Sequence, residues 1–242
     1  MLQALKKDVS LNGKANLVLP AFILGGFVFG ELLLLIVVRI ALKNPEEWFP
    51  IGTLIAAMMA LFAVILLDGG SFLQDYQLAL SMGRARRPLL LAELVKALLH
   101  ACAAMLLLFL LSRLELLLAR TVFAAGETAS ALLRALEHLC GFPVLLLPIL
   151  PLVCISLFVA AIRGKYGRRG GTILYFLFLF CCMALPQIIE YSADNASAPL
   201  GRLLAWCAAQ PPVLWWSLLI LLLLGMLFFS IRALLTLRVD IS

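Results

Sequence analysis

Glu93, Lys96 and His100 stand three and four residues apart inside an apolar run. At that spacing their side chains share one face of a helix. Such a trio can pair charges, pass a proton or line a polar path. A fourth ionisable residue, Glu31, stands in a separate apolar run, directly after Gly26-Phe-Val-Phe-Gly30. Ionisable groups within membrane-length apolar runs are costly and face a bundle interior or water. At about 1.5 Å per residue, Glu31 lies roughly 21 Å from Leu17, near mid-membrane, and His100 lies roughly 18 Å from Pro88. A contact between Glu31 and His100, lining a translocation path or locking two helices, is one expectation. The plainer alternative pairs Glu93 with Lys96 and leaves His100 on a backbone carbonyl. Enzymatic motifs are absent: there is no Gly-x-Ser-x-Gly elbow, no His-Glu-x-x-His helix and no phosphate-cradling Gly-x-x-x-x-Gly-Lys-[Ser/Thr] loop. The six cysteines contain no Cys-x-x-Cys pair, so no metal site is expected.

The elements that must position these residues follow from composition. The chain has 242 residues, of which 64% are hydrophobic and 13% charged, and its mean hydropathy is +1.11. That composition implies a polytopic membrane protein. Six apolar runs read as transmembrane helices, at about 17–41, 51–67, 88–111, 142–162, 172–189 and 213–234. The expected fold is an all-α bundle forming one transmembrane domain over 1–242. Residues 1–16 carry Lys6, Lys7 and Lys14 among Leu2, Leu5, Val9 and Leu11 and read as an interfacial helix. Gly26 and Gly30 allow close helix packing, within the chain or across a dimer. Pro143, Pro148 and Pro151 predict a kinked fourth span, and Arg163 to Gly171 predicts a short basic turn before the fifth. The net charge of +6 comes from basic residues concentrated in loops between apolar runs. Membrane orientation explains that better than nucleic acid does, and it puts both termini in the cytoplasm. Cys140 and Cys207 fall on the expected outer side, where a disulfide between them can form.

A polar interruption with its own helix signals runs from Asp68 to Pro88. Asp68-Gly69-Gly70 reads as a turn, and Ser71 with Gln74 fits a capping box. Phe72, Leu73, Tyr76 and Leu80 make a narrow apolar stripe at helical spacing. Gly83 suits a left-handed helix end. Arg84, Arg86 and Arg87 follow, and Pro88 suits the first turn of the next helix. A short amphipathic helix over about 71–83 is predicted beside the membrane.

This loop, ending in Leu80-Ser-Met-Gly-Arg-Ala-Arg-Arg87, resembles the coupling-helix loop in permease subunits of bacterial ATP-binding-cassette exporters, the six-span type whose ATPase is a separate chain. The sharp part of the likeness covers Phe72 to Arg87. The resemblance implies a permease subunit in the bacterial cytoplasmic membrane, paired with an identical or related second permease and with two ATPase chains. It implies no cofactor and no catalysis on this chain, with ATP and magnesium bound by the partner. Phe72, Leu73, Tyr76, Leu80, Arg84, Arg86 and Arg87 would dock the ATPase, and Glu31, Glu93, Lys96 and His100 would line the path. The apolar spans suit a hydrophobic or amphipathic cargo such as a peptide, lipid or drug. Two other readings are a membrane enzyme acting on lipid, and a membrane anchor or sensor subunit that recruits a cytosolic partner.

Overall fold

A computed structural model describes residues 17–37, 49–83, 85–121, 141–184 and 209–237, with positions 138, 187, 188, 190, 191, 202 and 206. The predicted interfacial helix over 1–16, Arg84, Cys140 and Cys207 lie outside the described residues. The helices are α1 (Val18–Leu34), α2 (Ile51–Phe62), α3 (Gly69–Ser81), α4 (Arg86–Thr121), α5 (Phe142–Leu146), α6 (Ile149–Leu179) and α7 (Pro212–Leu235). Among the described residues there is no strand, so the chain is an all-α bundle of a polytopic membrane protein. Five helical stretches are long and apolar enough to cross a membrane. The chain divides into two packing units, residues 1–156 and 157–242.

In the first unit, α1 and α2 run antiparallel and nearly touch. A Cβ on Gly30 would lie 2.7 Å from Gly52 Cα, and one on Gly26 would lie 2.8 Å from Met59 Cγ. Only residues without side chains let two backbones approach this far. Leu19, Ile23, Phe27 and Leu34 continue the buried stripe of α1. On α4 the buried positions Ala97, Ala101, Ala104, Leu108, Ser112, Glu115 and Ala119 recur every three or four residues. This stripe of mostly small residues is the seam on which α1 and α2 close.

The predicted turn at Asp68-Gly69-Gly70 does not form. A π-helical segment, Ala63–Asp68, joins α2 to α3, and one helical stretch runs from Ile51 to Ser81. Two glycines permit a turn but do not force one, and no proline interrupts residues 51–81. Ser71 therefore sits inside a helix rather than capping one. The helix ends at Gly83, whose φ of 75° is the left-handed conformation that suits glycine. Pro88 lies in the first turn of α4, and α4 continues to Thr121, well past the expected end of the third span.

In the second unit, Gly167 (φ 57°, ψ −134°) breaks α6 within the basic turn. A Cβ on Gly170 would lie 2.6 Å from the Ile162 carbonyl oxygen. Eight residues of straight helix would separate these positions by roughly 12 Å, so the chain folds back there. The two arms of α6 carry parts of the apolar runs expected as the fourth and fifth spans. Phe229 of α7 meets Phe158 at 5.7 Å between ring centres, and Lys165 lies over the same ring at 5.3 Å.

Candidate functional site

The hairpin formed by α3 and the start of α4 gathers most of the residues singled out above. Phe72 and Tyr76 stack at 5.9 Å with rings nearly parallel. Tyr76 is fully buried, Phe72 and Leu73 are buried beside it, and Leu80 is half-buried. The stripe expected to enter a partner groove is thus turned into the chain, where α3 packs on α4. The face left open carries Ser71, Gln74, Leu78, Ser81 and Met82. Arg86 lies within electrostatic range of Tyr76, and Arg86 and Arg87 are exposed at the hairpin tip.

Lys96 is the charged hub of this hairpin. Its Nζ donates to Asp75 Oδ2 at 3.0 Å and lies 3.9 Å from Glu93 Oε2. Glu93 is 8% exposed, so Lys96 compensates a carboxylate that burial would otherwise penalise. Ser71, Phe72, Ala97 and His100 complete a small cleft around the pair. Glu93, Lys96 and His100 therefore come together, as their spacing on one helix face requires, but their partners are on α3 rather than on α1.

Glu31 is elsewhere. Its carboxyl meets that of Glu115, within hydrogen-bonding reach. Glu115 is fully buried. Its Oε1 accepts from the Gly52 N–H at 3.1 Å and its Oε2 from the Thr53 N–H at 2.7 Å. Those N–H groups belong to the first turn of α2, which has no intrahelical acceptors and carries the positive end of the helix dipole. Pro50, at the capping position, makes no side-chain cap, and the carboxylate of Glu115 takes over that role from a neighbouring helix. Glu31 Oε1 lies against Gly52, where a Cβ would be 2.5 Å away. Among the described residues, Glu31 Oε1 and Thr53 Oγ1 are buried without a hydrogen-bond partner.

The expected contact of Glu31 with His100 is thus replaced by Glu31 with Glu115. His100 and Glu115 are 15 residues apart on α4, roughly 22 Å. The expected depths assumed that α4 enters the membrane at Pro88, whereas its first turns are spent pairing with α3. Nor is Glu31 at the middle of the bundle, because Gly52 belongs to the first turn of α2. Gly26 and Gly30 pack inside the chain, on Met59 and Gly52. Glu115 was not singled out by motif. Its signal was register, since it continues the 97, 101, 104, 108, 112 series of α4.

No protein-family model, curated protein or solved structure matches the chain.

Proposed function

We propose that this chain is the permease subunit of an ATP-driven exporter in the bacterial cytoplasmic membrane. It pairs with a second permease and two ATPase chains that bind ATP and magnesium, and it performs no catalysis itself. The observation that supports this most is the reach of one hairpin. The stretch Ile51–Ser81 has 31 residues and α4 has 36, about 46 and 54 Å of helix. The hydrocarbon core of a bilayer is about 30 Å thick. The hairpin therefore exceeds the core, and its excess holds the polar residues of α3, a left-handed glycine and exposed Arg86 and Arg87. A basic tip on the cytoplasmic side agrees with positive-inside orientation.

Burial of Phe72, Leu73 and Tyr76 changes how such a hairpin couples. Their role is to fasten α3 to α4, so that the tip moves as one body with the membrane-spanning parts. The partner meets the open face, Gln74, Leu78, Ser81 and Met82, and the arginines. The π-helical segment Ala63–Asp68 is the natural place for bending, since π-turns interrupt the regular hydrogen-bond ladder. A hydrophobic or amphipathic cargo fits the apolar spans.

The test is affinity purification of the tagged chain from its native membranes, followed by ATPase assay of what co-purifies. Leu78→Asp with Met82→Asp is the informative variant, because both side chains are exposed and the fold is spared. We expect ATPase activity with the wild type and at least a tenfold loss with the double variant. Purification without a nucleotide-hydrolysing partner, or equal activity from both, rejects the reading.

A further inference from the structure

The carboxyl groups of Glu31 and Glu115 touch each other in a setting that supplies donors to only one of them. Each Glu115 oxygen accepts a backbone N–H from the start of α2. Glu31 has no such donor, and its Oε1 is buried without a partner among the described residues. Thr53, 5% exposed, also sets its hydroxyl beside the Glu115 carboxylate. Two carboxyl groups in hydrogen-bonding contact, Glu115 fully buried and Glu31 half-buried, are not both ionised. Glu115 is placed to be the anion, because two N–H groups and the helix dipole favour charge there. Glu31 is placed to be the acid.

We propose that Glu31 and Glu115 form a proton-binding site, in which one exchangeable proton sits on Glu31 and is donated to the Glu115 carboxylate. The ligand is a proton, and the site closes the junction of α1, α2 and α4. Loss of the proton puts two negative charges side by side across the α1–α4 contact and drives α1 away from Gly52.

Among the described residues no cation offsets the pair. Glu31 is the only titratable residue of α1, and α2 contains none. In the π-helical segment, Asp68 is 16 residues from Gly52, roughly 24 Å along the helix. On α4, Lys96 is engaged by Asp75. Arg113, whose guanidinium lies over Phe109, and Arg120 are both on exposed positions.

The test is infrared difference spectroscopy of the full-length chain in lipid nanodiscs, read at the carbonyl band of protonated carboxyl groups. We expect that band at pH 7 in the wild type, its loss in Glu31→Gln and its retention in Glu93→Gln. Glutamine mimics the protonated acid in shape and charge, so Glu31→Gln should also melt with the wild type at pH 7. Absence of the band from the wild type, or its persistence in Glu31→Gln, overturns the proposal. So does failure of Glu31→Gln to fold, because a charge at that position would then be required. A melting temperature raised by Na+ over choline, with the rise lost in Glu31→Gln, would assign the pair to a metal cation and likewise overturns the proton site.

Discussion

Replacing Gly30 by alanine tests the α1–α2 contact directly. The added Cβ would lie 2.7 Å from Gly52 Cα, 2.9 Å from the Ile51 carbonyl oxygen and 3.0 Å from Gly52 N. All three are backbone atoms, and none can rotate aside. Relief to about 3.4 Å, the near limit of ordinary contact, needs a separation of 3.4 − 2.7, or 0.7 Å. The same backbone holds Glu115, since Gly52 N donates to its Oε1 at 3.1 Å. If α2 yields by that distance, the bond stretches toward 3.8 Å and is lost as a hydrogen bond. Overpacking of this kind costs about 1–3 kcal/mol, and a hydrogen bond to a charged group contributes about 1.5–3 kcal/mol. Alanine regains about 0.5–1 kcal/mol of helix preference over glycine. A net loss of about 3.5 kcal/mol is expected, or about 7–14 °C in melting temperature for a chain of this size.

Two neighbouring glycines provide the contrast. A Cβ on Gly25 meets nothing within 4 Å, so Gly25→Ala should hold or raise the melting temperature. A Cβ on Gly26 meets Met59 Cγ at 2.8 Å and Cβ at 3.2 Å, and a methionine side chain can re-pack. Gly26→Ala should fall between the other two. The assay is thermal unfolding of the purified full chain, followed by loss of the monodisperse peak on size exclusion. Equal melting of Gly30→Ala and Gly25→Ala would refute the close approach of α1 and α2, and with it the placement of Glu31 against Gly52.

Glu115→Gln should lower the melting temperature more than Glu31→Gln does at pH 7, because an amide cannot accept from both Gly52 and Thr53 without turning its NH2 toward a donor; the same size-exclusion melt reads this. Asp75→Asn should cost no more than about 1 kcal/mol, since that side chain is 37% exposed, whereas Lys96→Met removes a cation from both Asp75 and buried Glu93 and should cost more by the same assay. Gly167→Ala forces a side chain into a backbone region that excludes it and should cost about 1–3 kcal/mol, while Gly171→Ala, with open space around it, should be neutral. Tyr76→Asp should prevent recovery of folded chain, and Leu78→Asp should not, as judged by yield after size exclusion.

What the sequence made legible was whatever depends on local composition and period. The apolar runs, the left-handed stop at Gly83, the small-residue face of Gly26 and Gly30, and the shared face of Glu93, Lys96 and His100 are properties of one segment each. What stayed hidden depended on how segments meet. Asp68-Gly69-Gly70 is compatible with a turn and with a helix, and only the packing of Phe72, Leu73 and Tyr76 on α4 decides between them. The apolar stripe of α3 was visible, but whether it faces a partner or the chain itself is not encoded in its spacing. The partner of Glu31 was missed because depth was counted from Pro88. Glu115 is in register with the α4 seam but lies beyond the apolar run expected over 88–111.

The two polar stations on α4 correct that count. Lys96 and Glu115 are 19 residues apart, roughly 28 Å of helix, which is close to the thickness of the hydrocarbon core. On the facing helix, Thr53 and Asp75 are 22 residues apart, roughly 33 Å. One station joins α3 to α4 through an ion pair, and the other joins α1 and α2 to α4 through carboxyl and backbone groups. Between them the α4 seam is almost entirely Ala, Leu, Met and Ser. Placing the core of the membrane between the stations puts both sets of charged groups at its borders, where ionisable side chains cost least. It also leaves the α3–α4 tip beyond one border and the Glu31–Glu115 pair at the other. A hairpin clamped by polar contacts at both borders and packed on small residues between them resists bending along α4. Any movement imposed at the tip must therefore be absorbed at the π-helical segment or carried across to the junction of α1 and α2.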